Sequence, residues 1–247
     1  MKTRPSNQPT VMLPIIKIAF DAFQIWQKRG RLAQAMFIPG VALLILSVFW
    51  SYRWQDTGTY EQMAWVFLYA VVFTSFAVTC HRLMLLGDES IPRFGITLWT
   101  AREARFFGWL LAGWVLSFLV TVLGIMILGA ILANLFEVPR DWWQWLIIGF
   151  QILGTYVLAR VTLMLPAIAL DTKPTLAQTW HLSRGNGWRL AIVLGGLPWL
   201  LRAFQTVLAS DEVSLVAVVL SSLLFCCLLV VEIAAVSLSY RHLTLET

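Results

Sequence analysis

The chain has 247 residues, 59% of them hydrophobic and only 13% charged, with a formal net charge of +5. A soluble domain of this length has no need for so much apolar surface, and several apolar runs exceed the ~20 residues that cross a hydrocarbon core of roughly 30 Å. A soluble globular class is excluded, no polar stretch is long enough for a separate soluble domain, and the basic surplus suits an anionic lipid leaflet better than nucleic acid.

Met1 to Pro9 is polar and expected to be disordered. Met1 to Arg31 is too charged, and its apolar residues too periodic, for a cleaved signal. From Pro14 to Arg31 the pattern predicts an amphipathic helix. Lys17, Asp21, Gln24, Lys28 and Arg31 alternate steps of four and three to form a polar stripe, and Ile15, Ala19, Ala22, Phe23 and Trp26 form the apolar face. Such a helix, with a basic polar side, is expected to lie in the membrane interface.

Six spans are predicted, near 35–52, 62–84, 106–135, 143–169, 188–208 and 213–240. Trp50, Trp54 and Trp65 mark the outer boundary of the first hairpin, where indole rings favour the headgroup region. In the following connection Ser90 and Pro92 mark a helix start, and Trp99, Arg102 and Arg105 lead into the third span. Gly113, Ser117 and Thr121 recur every four residues with Gly124 close to the same face, a pattern that lets two helix backbones approach. Trp142, Trp143 and Trp145 anchor the outer end of the fourth span, and Pro166 bends its inner end.

Leu158 to Leu190 is the most informative stretch. The apolar run closes at Leu170; Asp171 and Thr172 offer turn and capping oxygens, Pro174 suits a first helical turn, and Gly185-Asn186-Gly187 breaks the helix before Trp188 opens the next span. Gly195-Gly196-Leu197-Pro198 predicts a kink or local unwinding in the fifth span. In the sixth, Ser214, Ser221, Glu232 and Ser239 share one face and are expected to look into the bundle.

With these spans, Lys2, Arg4, Lys17, Lys28, Arg29, Arg31, Arg82, Arg93, Arg102, Arg105, Arg160, Lys173, Arg184, Arg189 and Arg241 fall on one side, while Arg53, Arg140 and Arg202 fall on the other. The positive-inside rule then makes both termini cytoplasmic, in a bacterial inner membrane. The chain also repeats itself: Leu83-Met84-Leu85, Leu163-Met164-Leu165 and Leu243-Thr244-Leu245 stand 80 residues apart, and Trp26, Trp99 and Trp180 each precede a basic residue at similar places. The expected fold is therefore an all-α polytopic membrane protein, a single integral domain. Six transmembrane helices and three amphipathic interfacial helices form three repeats of interfacial helix plus two spans, at about 11–86, 90–170 and 172–245.

An Arg within a span, then Leu-Pro, an Asp-containing turn, a helix bearing Trp180 and Ser183, and Gly185-Asn186-Gly187-Trp188 resembles bacterial YciC-type inner-membrane proteins. It is also similar to the membrane domain fused to some glycerophosphodiester phosphodiesterases. The likeness covers about the last third of the chain and implies a six-span inner-membrane protein. The phosphodiesterase chemistry would belong to a soluble domain, so no catalytic residue carries over.

Catalytic signatures are missing: there is no Gly-x-x-x-x-Gly-Lys phosphate loop, Gly-x-Ser-x-Gly elbow or His-Glu-x-x-His helix. A three-His metal site from His81, His181 and His242 is the alternative to three isolated interfacial histidines, and no metal or cofactor is expected. Cys80, Cys226 and Cys227 read as small packing residues. The expected function is non-enzymatic: an accessory or scaffold subunit whose basic cytoplasmic collar binds anionic lipid or a partner membrane protein. A small-solute or lipid transporter or channel is the alternative. The lipid- or partner-facing residues would be Lys17, Trp26, Lys28, Arg31, Trp99, Arg102, Arg105, Trp180, Arg184 and Arg189. Arg160 and Glu232, at matching counted depths in their spans, are expected to form an intramembrane ion pair.

Overall fold

The computed structural model describes residues 12–25, 32–35, 37–53, 58–91, 99–135, 140–196 and 215–245. Regular structure among them is helical: α1 (Ile15–Phe23), α2 (Phe37–Arg53), α3 (Thr59–Leu86), α4 (Ala101–Leu135), α5 (Arg140–Thr162), α6 (Met164–Ala169), α7 (Leu176–Leu182), α8 (Gly187–Ala191) and α9 (Leu215–Leu245). Four stretches, Thr59–Leu86, Ala101–Leu132, Trp142–Ala169 and Val216–Leu245, are long and apolar enough to cross a membrane. Their uncovered faces are apolar too: Leu111, Trp114, Phe118 and Met126 of α4 are exposed, as contact with lipid requires. The first expected span is a shorter apolar helix, Phe37–Phe49. Of the fifth, residues 197–208 lie outside the described residues. So do Trp26, Lys28, Arg31 and Ser214, and the helix expected to start at Ser90 and Pro92 beyond Ile91.

The core is concentrated at one end. Phe76–Met84 of α3, Ala159–Ala169 across α5 and α6, and the stretch Leu229–Tyr240 of α9 supply most of its buried residues. The C-terminal ends of α3, α6 and α9 and the N-terminal ends of α4 and α8 meet there, tied by Arg82–Asp171, Arg102–Asp171 and a bond between His242 and the Met12 carbonyl.

Pro166 does more than bend a helix. α5 stops at Thr162, Leu163 forms a turn, and α6 starts at Met164. Proline has no N–H for the carbonyl four residues earlier and its ring crowds it, so the break falls there. α6 then closes in a Schellman arrangement: Thr172 N–H donates to Ala167 O (3.1 Å) and Asp171 N–H to Ile168 O (2.9 Å), with Asp171 at φ 61°. Asp171 and Thr172 thus end α6 rather than start α7. The start of α7 is a capping box, in which Thr175 Oγ1 accepts from Gln178 N–H and Gln178 Oε1 accepts from Thr175 N–H. Pro174 precedes that cap and is outside the first helical turn.

The stripe on α4 meets α5. A Cβ at Gly113 would stand 3.3 Å from Leu158; one at Gly154 would stand 3.0 Å from the Ser117 carbonyl; one at Gly129 would stand 2.7 Å from Trp143, and one at Gly124 would overlap Phe150. Thr121 Oγ1 donates to its own helix at Ser117 O (3.0 Å) and across to Phe150 O (3.3 Å). Descending partners for ascending positions describe an antiparallel hairpin whose backbones close up along small residues.

α1 has three faces instead of two. At 100° per residue, Ile18, Ala22 and Ile25 lie within about 60° of one another, as do Lys17, Asp21 and Gln24, and as do Ile16, Phe20 and Phe23. The first group is buried, packing where α1 meets α9 and the π-helical turn Ile192–Gly196. The last group is left uncovered, with Ile16 84%, Phe20 61% and Phe23 48% exposed. Phe23 therefore does not share a core face with Ala22, because a helix with apolar residues on two sides can bury only one against the bundle.

Candidate functional site

Two constellations of charge form at the α1 end. The first is a structural knot. Thr100 caps α4, its hydroxyl accepting from Arg102 N–H, while Glu103 accepts from the Thr100 N–H (2.8 Å) and from the Thr100 hydroxyl. The other oxygen of Glu103 takes Arg102 in a two-point contact at 2.7 and 3.0 Å, and the carboxylate is fully buried. Arg102 Nη1 reaches Asp171 at 3.3 Å, and Arg82 Nη1 reaches both Asp171 (2.9 Å) and the Ala169 carbonyl (2.9 Å). Arg102 thus joins α4 to the end of α6. Glu103→Ala is expected to cost about 2 kcal/mol in detergent, combining a lost cap with lost charged bonds. Glu103→Gln, which keeps the capping acceptor, should cost about half as much by the same reasoning; equal unfolding shifts for the two variants would rule out the capping contribution.

The second constellation is a cleft of about 950 Å³ between α5, α7 and the start of α8. Arg160 rises from α5, one turn after Tyr156. Its guanidinium lies over the Trp180 indole, 3.6 Å from the ring centroid. Nε donates to Ser183 Oγ (2.7 Å), Nη1 to Tyr156 OH (3.3 Å) and Nη2 to the Trp180 carbonyl (2.5 Å). That carbonyl belongs to the last turn of α7, where helices leave acceptors without intrahelical donors and carry partial negative charge. Gly187 makes room for Tyr156: a Cβ there would stand 2.5 Å from the phenol oxygen. Tyr156 in turn packs on Trp188 at 4.7 Å between ring centroids. Arg184, His181 and Arg189 complete the basic lining, and among the described residues no carboxylate lines the cleft.

No family model, curated protein or solved structure matches this chain. The reading of the cleft rests on the chain's own residues.

Of the residues expected to face lipid or a partner, Trp180 and Arg184 line the cleft with Arg160. Arg189 lines it too, but its guanidinium also holds the entry to α1, donating to Leu13 O at 2.8 Å. Trp99 lies outside the cleft, its indole N–H donating to Ser75 Oγ of α3 (2.8 Å). It precedes the cap of α4, whereas Trp180 sits inside α7, so the two occupy different local structures. Arg105 folds back on its own helix, Nε to Ala101 O. Lys17 is exposed on the polar face of α1. Arg160 and Glu232 are not brought together: the hydrogen bonds and ring contacts of Arg160 go to Ser183, Tyr156 and Trp180. Of the inward stripe on α9, Ser239 is buried and Ser221 exposed, its hydroxyl bonded to Ala217 O. His81 is buried against Ser237 Oγ (2.8 Å), and among the described residues no three His, Cys, Asp or Glu gather as a metal site.

Three residues take contacts that the sequence did not assign to them. Tyr156 and Ser183 owe their roles to Arg160. Asn186, expected only to break a helix, is buried, and its side-chain oxygen accepts from Leu13 N–H (2.8 Å), fixing where α1 begins.

Proposed function

We propose that the chain is a non-enzymatic, six-span protein of a bacterial inner membrane, with both termini cytoplasmic and three repeats of interfacial helix plus two spans. Its basic cytoplasmic collar holds anionic lipid and serves as an accessory or scaffold surface for a partner membrane protein. The observation that carries this reading is the three-faced α1. One face docks on the bundle, Lys17 and Asp21 point along a polar face, and Ile16, Phe20 and Phe23 are left bare. A helix anchored to protein, water and lipid at once belongs at a membrane surface. The excess of cations at the α1 end supports the sidedness, and the resemblance of the last third to YciC-type proteins supports the layout.

Each basic residue near an anionic leaflet contributes about 1 kcal/mol. The triple variant Lys17→Gln, Lys28→Gln, Arg31→Gln, extracted from native membranes in polymer-bounded lipid patches, is therefore expected to carry clearly less anionic lipid, or fewer co-extracted proteins, than the parent. Identical lipid composition and identical protein partners in the two samples would overturn the collar.

A further inference from the structure

The cleft beside Arg160 does more than extend a diffuse basic surface. Arg160 is only 7% exposed as a residue, and a buried cation is costly unless something negative answers it. Neutral partners answer Arg160 in part: a hydroxyl, a phenol and a carbonyl engage three of its five N–H groups, leaving two for an occupant of the cleft it lines. Those same contacts fix the plane of the guanidinium, with the Trp180 ring across one face. A planar donor held rigid in this way is pre-set for a tetrahedral oxyanion, where two N–H groups can meet two oxygens.

The remaining lining says what accompanies the anion. Arg184 is exposed and adds a second guanidinium without burial cost, while Trp188 is 58% exposed at the mouth. Leu176 and Trp180 add further exposed apolar surface to the same cleft. Two guanidinium groups and bare indole lining one cleft match a molecule that is anionic at one end and apolar at the other.

We propose that this cleft is a one-to-one binding site for a phosphate-bearing amphiphile, the headgroup phosphate of a membrane glycerophospholipid meeting Arg160 and Arg184 while the glycerol and first acyl carbons lie against Trp188. The proposal rests on the membrane reading above but differs from the collar: the collar enriches anionic lipid in bulk, whereas the cleft holds a single molecule through phosphate geometry.

Full-length protein, exchanged into a detergent without phosphate, is titrated with phosphatidylglycerol, with diacylglycerol and with inorganic phosphate, and bound species are counted by native mass spectrometry. One phosphatidylglycerol per chain is expected, with no comparable retention of diacylglycerol. Arg184→Gln, an exposed change that leaves the packing alone, should weaken binding roughly ten-fold, the effect of one lost charged hydrogen bond. Arg160→Lys keeps the charge but loses the fork, and should weaken it at least as much. Full affinity in a folded Arg184→Gln protein, or equal binding of diacylglycerol, overturns the site. Displacement of phosphatidylglycerol by millimolar inorganic phosphate overturns the lipid assignment in favour of a soluble phosphate compound. The collar variant should keep the single detergent-resistant lipid while losing bulk enrichment, and Arg184→Gln should do the reverse, so each reading fails separately.

Discussion

Arg160→Glu combined with Glu232→Arg is expected to be no more stable than the two single changes added together. Arg160 is bound to Ser183, Tyr156 and the Trp180 carbonyl and stacked on the Trp180 ring. A carboxylate in its place would face an acceptor at the negative end of α7, lose the stacking and leave the last-turn carbonyl without its donor. Breaking a buried charged network of this kind costs about 3–5 kcal/mol. Moving the guanidinium to position 232 restores none of those contacts, because Ser183, Tyr156 and Trp180 are the partners of Arg160 and Glu232 is not among them. Thermal unfolding of the parent, both single variants and the double variant in one detergent closes the cycle. Recovery of more than about 1 kcal/mol in the double variant would restore the ion pair and unseat the network assigned to Arg160.

The expected ion pair fails for a physical reason. Counting from the outer Trp143 and Val213 places both charges at similar depth, but that count assumes each span begins where its first apolar residue does. A shared depth also names no partner: Arg160 is answered by Ser183, Tyr156 and the Trp180 carbonyl, groups that the depth count does not weigh. The long apolar helices, the break near Pro166, the Gly185-Asn186-Gly187 turn and the packing face on α4 are legible because each depends on local chemistry or on one helical period. The capping box of α7 is legible as well, since Thr175-x-x-Gln178 carries the signature, but Asp171, Thr172 and Pro174 compete with it as helix-start signals. What pattern cannot supply is the choice of partner between elements distant in the chain. That Arg189 turns to Leu13, Asn186 to the Leu13 amide and Trp99 to Ser75 follows from how helices dock. The second apolar face of α1 is present in Ile16, Phe20 and Phe23, yet only the docked structure shows which face the bundle takes.

Gly154→Leu is expected to destabilise the protein by about 3 kcal/mol or more, at the upper end of the cost of overfilling a packed site. A Cβ at this position would stand 2.5 Å from Thr121 Oγ1 and 3.0 Å from the backbone carbonyl of Ser117. The hydroxyl can turn, but a carbonyl in the middle of α4 cannot move without its helix. Relief therefore requires α4 and α5 to separate, which strips the Thr121 to Phe150 carbonyl bond and the contacts of Gly113 and Gly124 along the same seam. Between helices in lipid, close packing and such bonds carry much of the association, since apolar burial alone gains little there. Gly149 supplies the control. It lies five residues earlier on the same helix, is exposed, and a Cβ added there would meet nothing within 4 Å. Gly149→Leu should therefore cost nothing, and the better helix propensity of leucine favours a small gain of under about 1 kcal/mol. Unfolding temperatures in detergent separate the two positions: a large drop at 154 with none at 149 locates the seam, whereas equal responses would mean that α5 does not present Gly154 to α4.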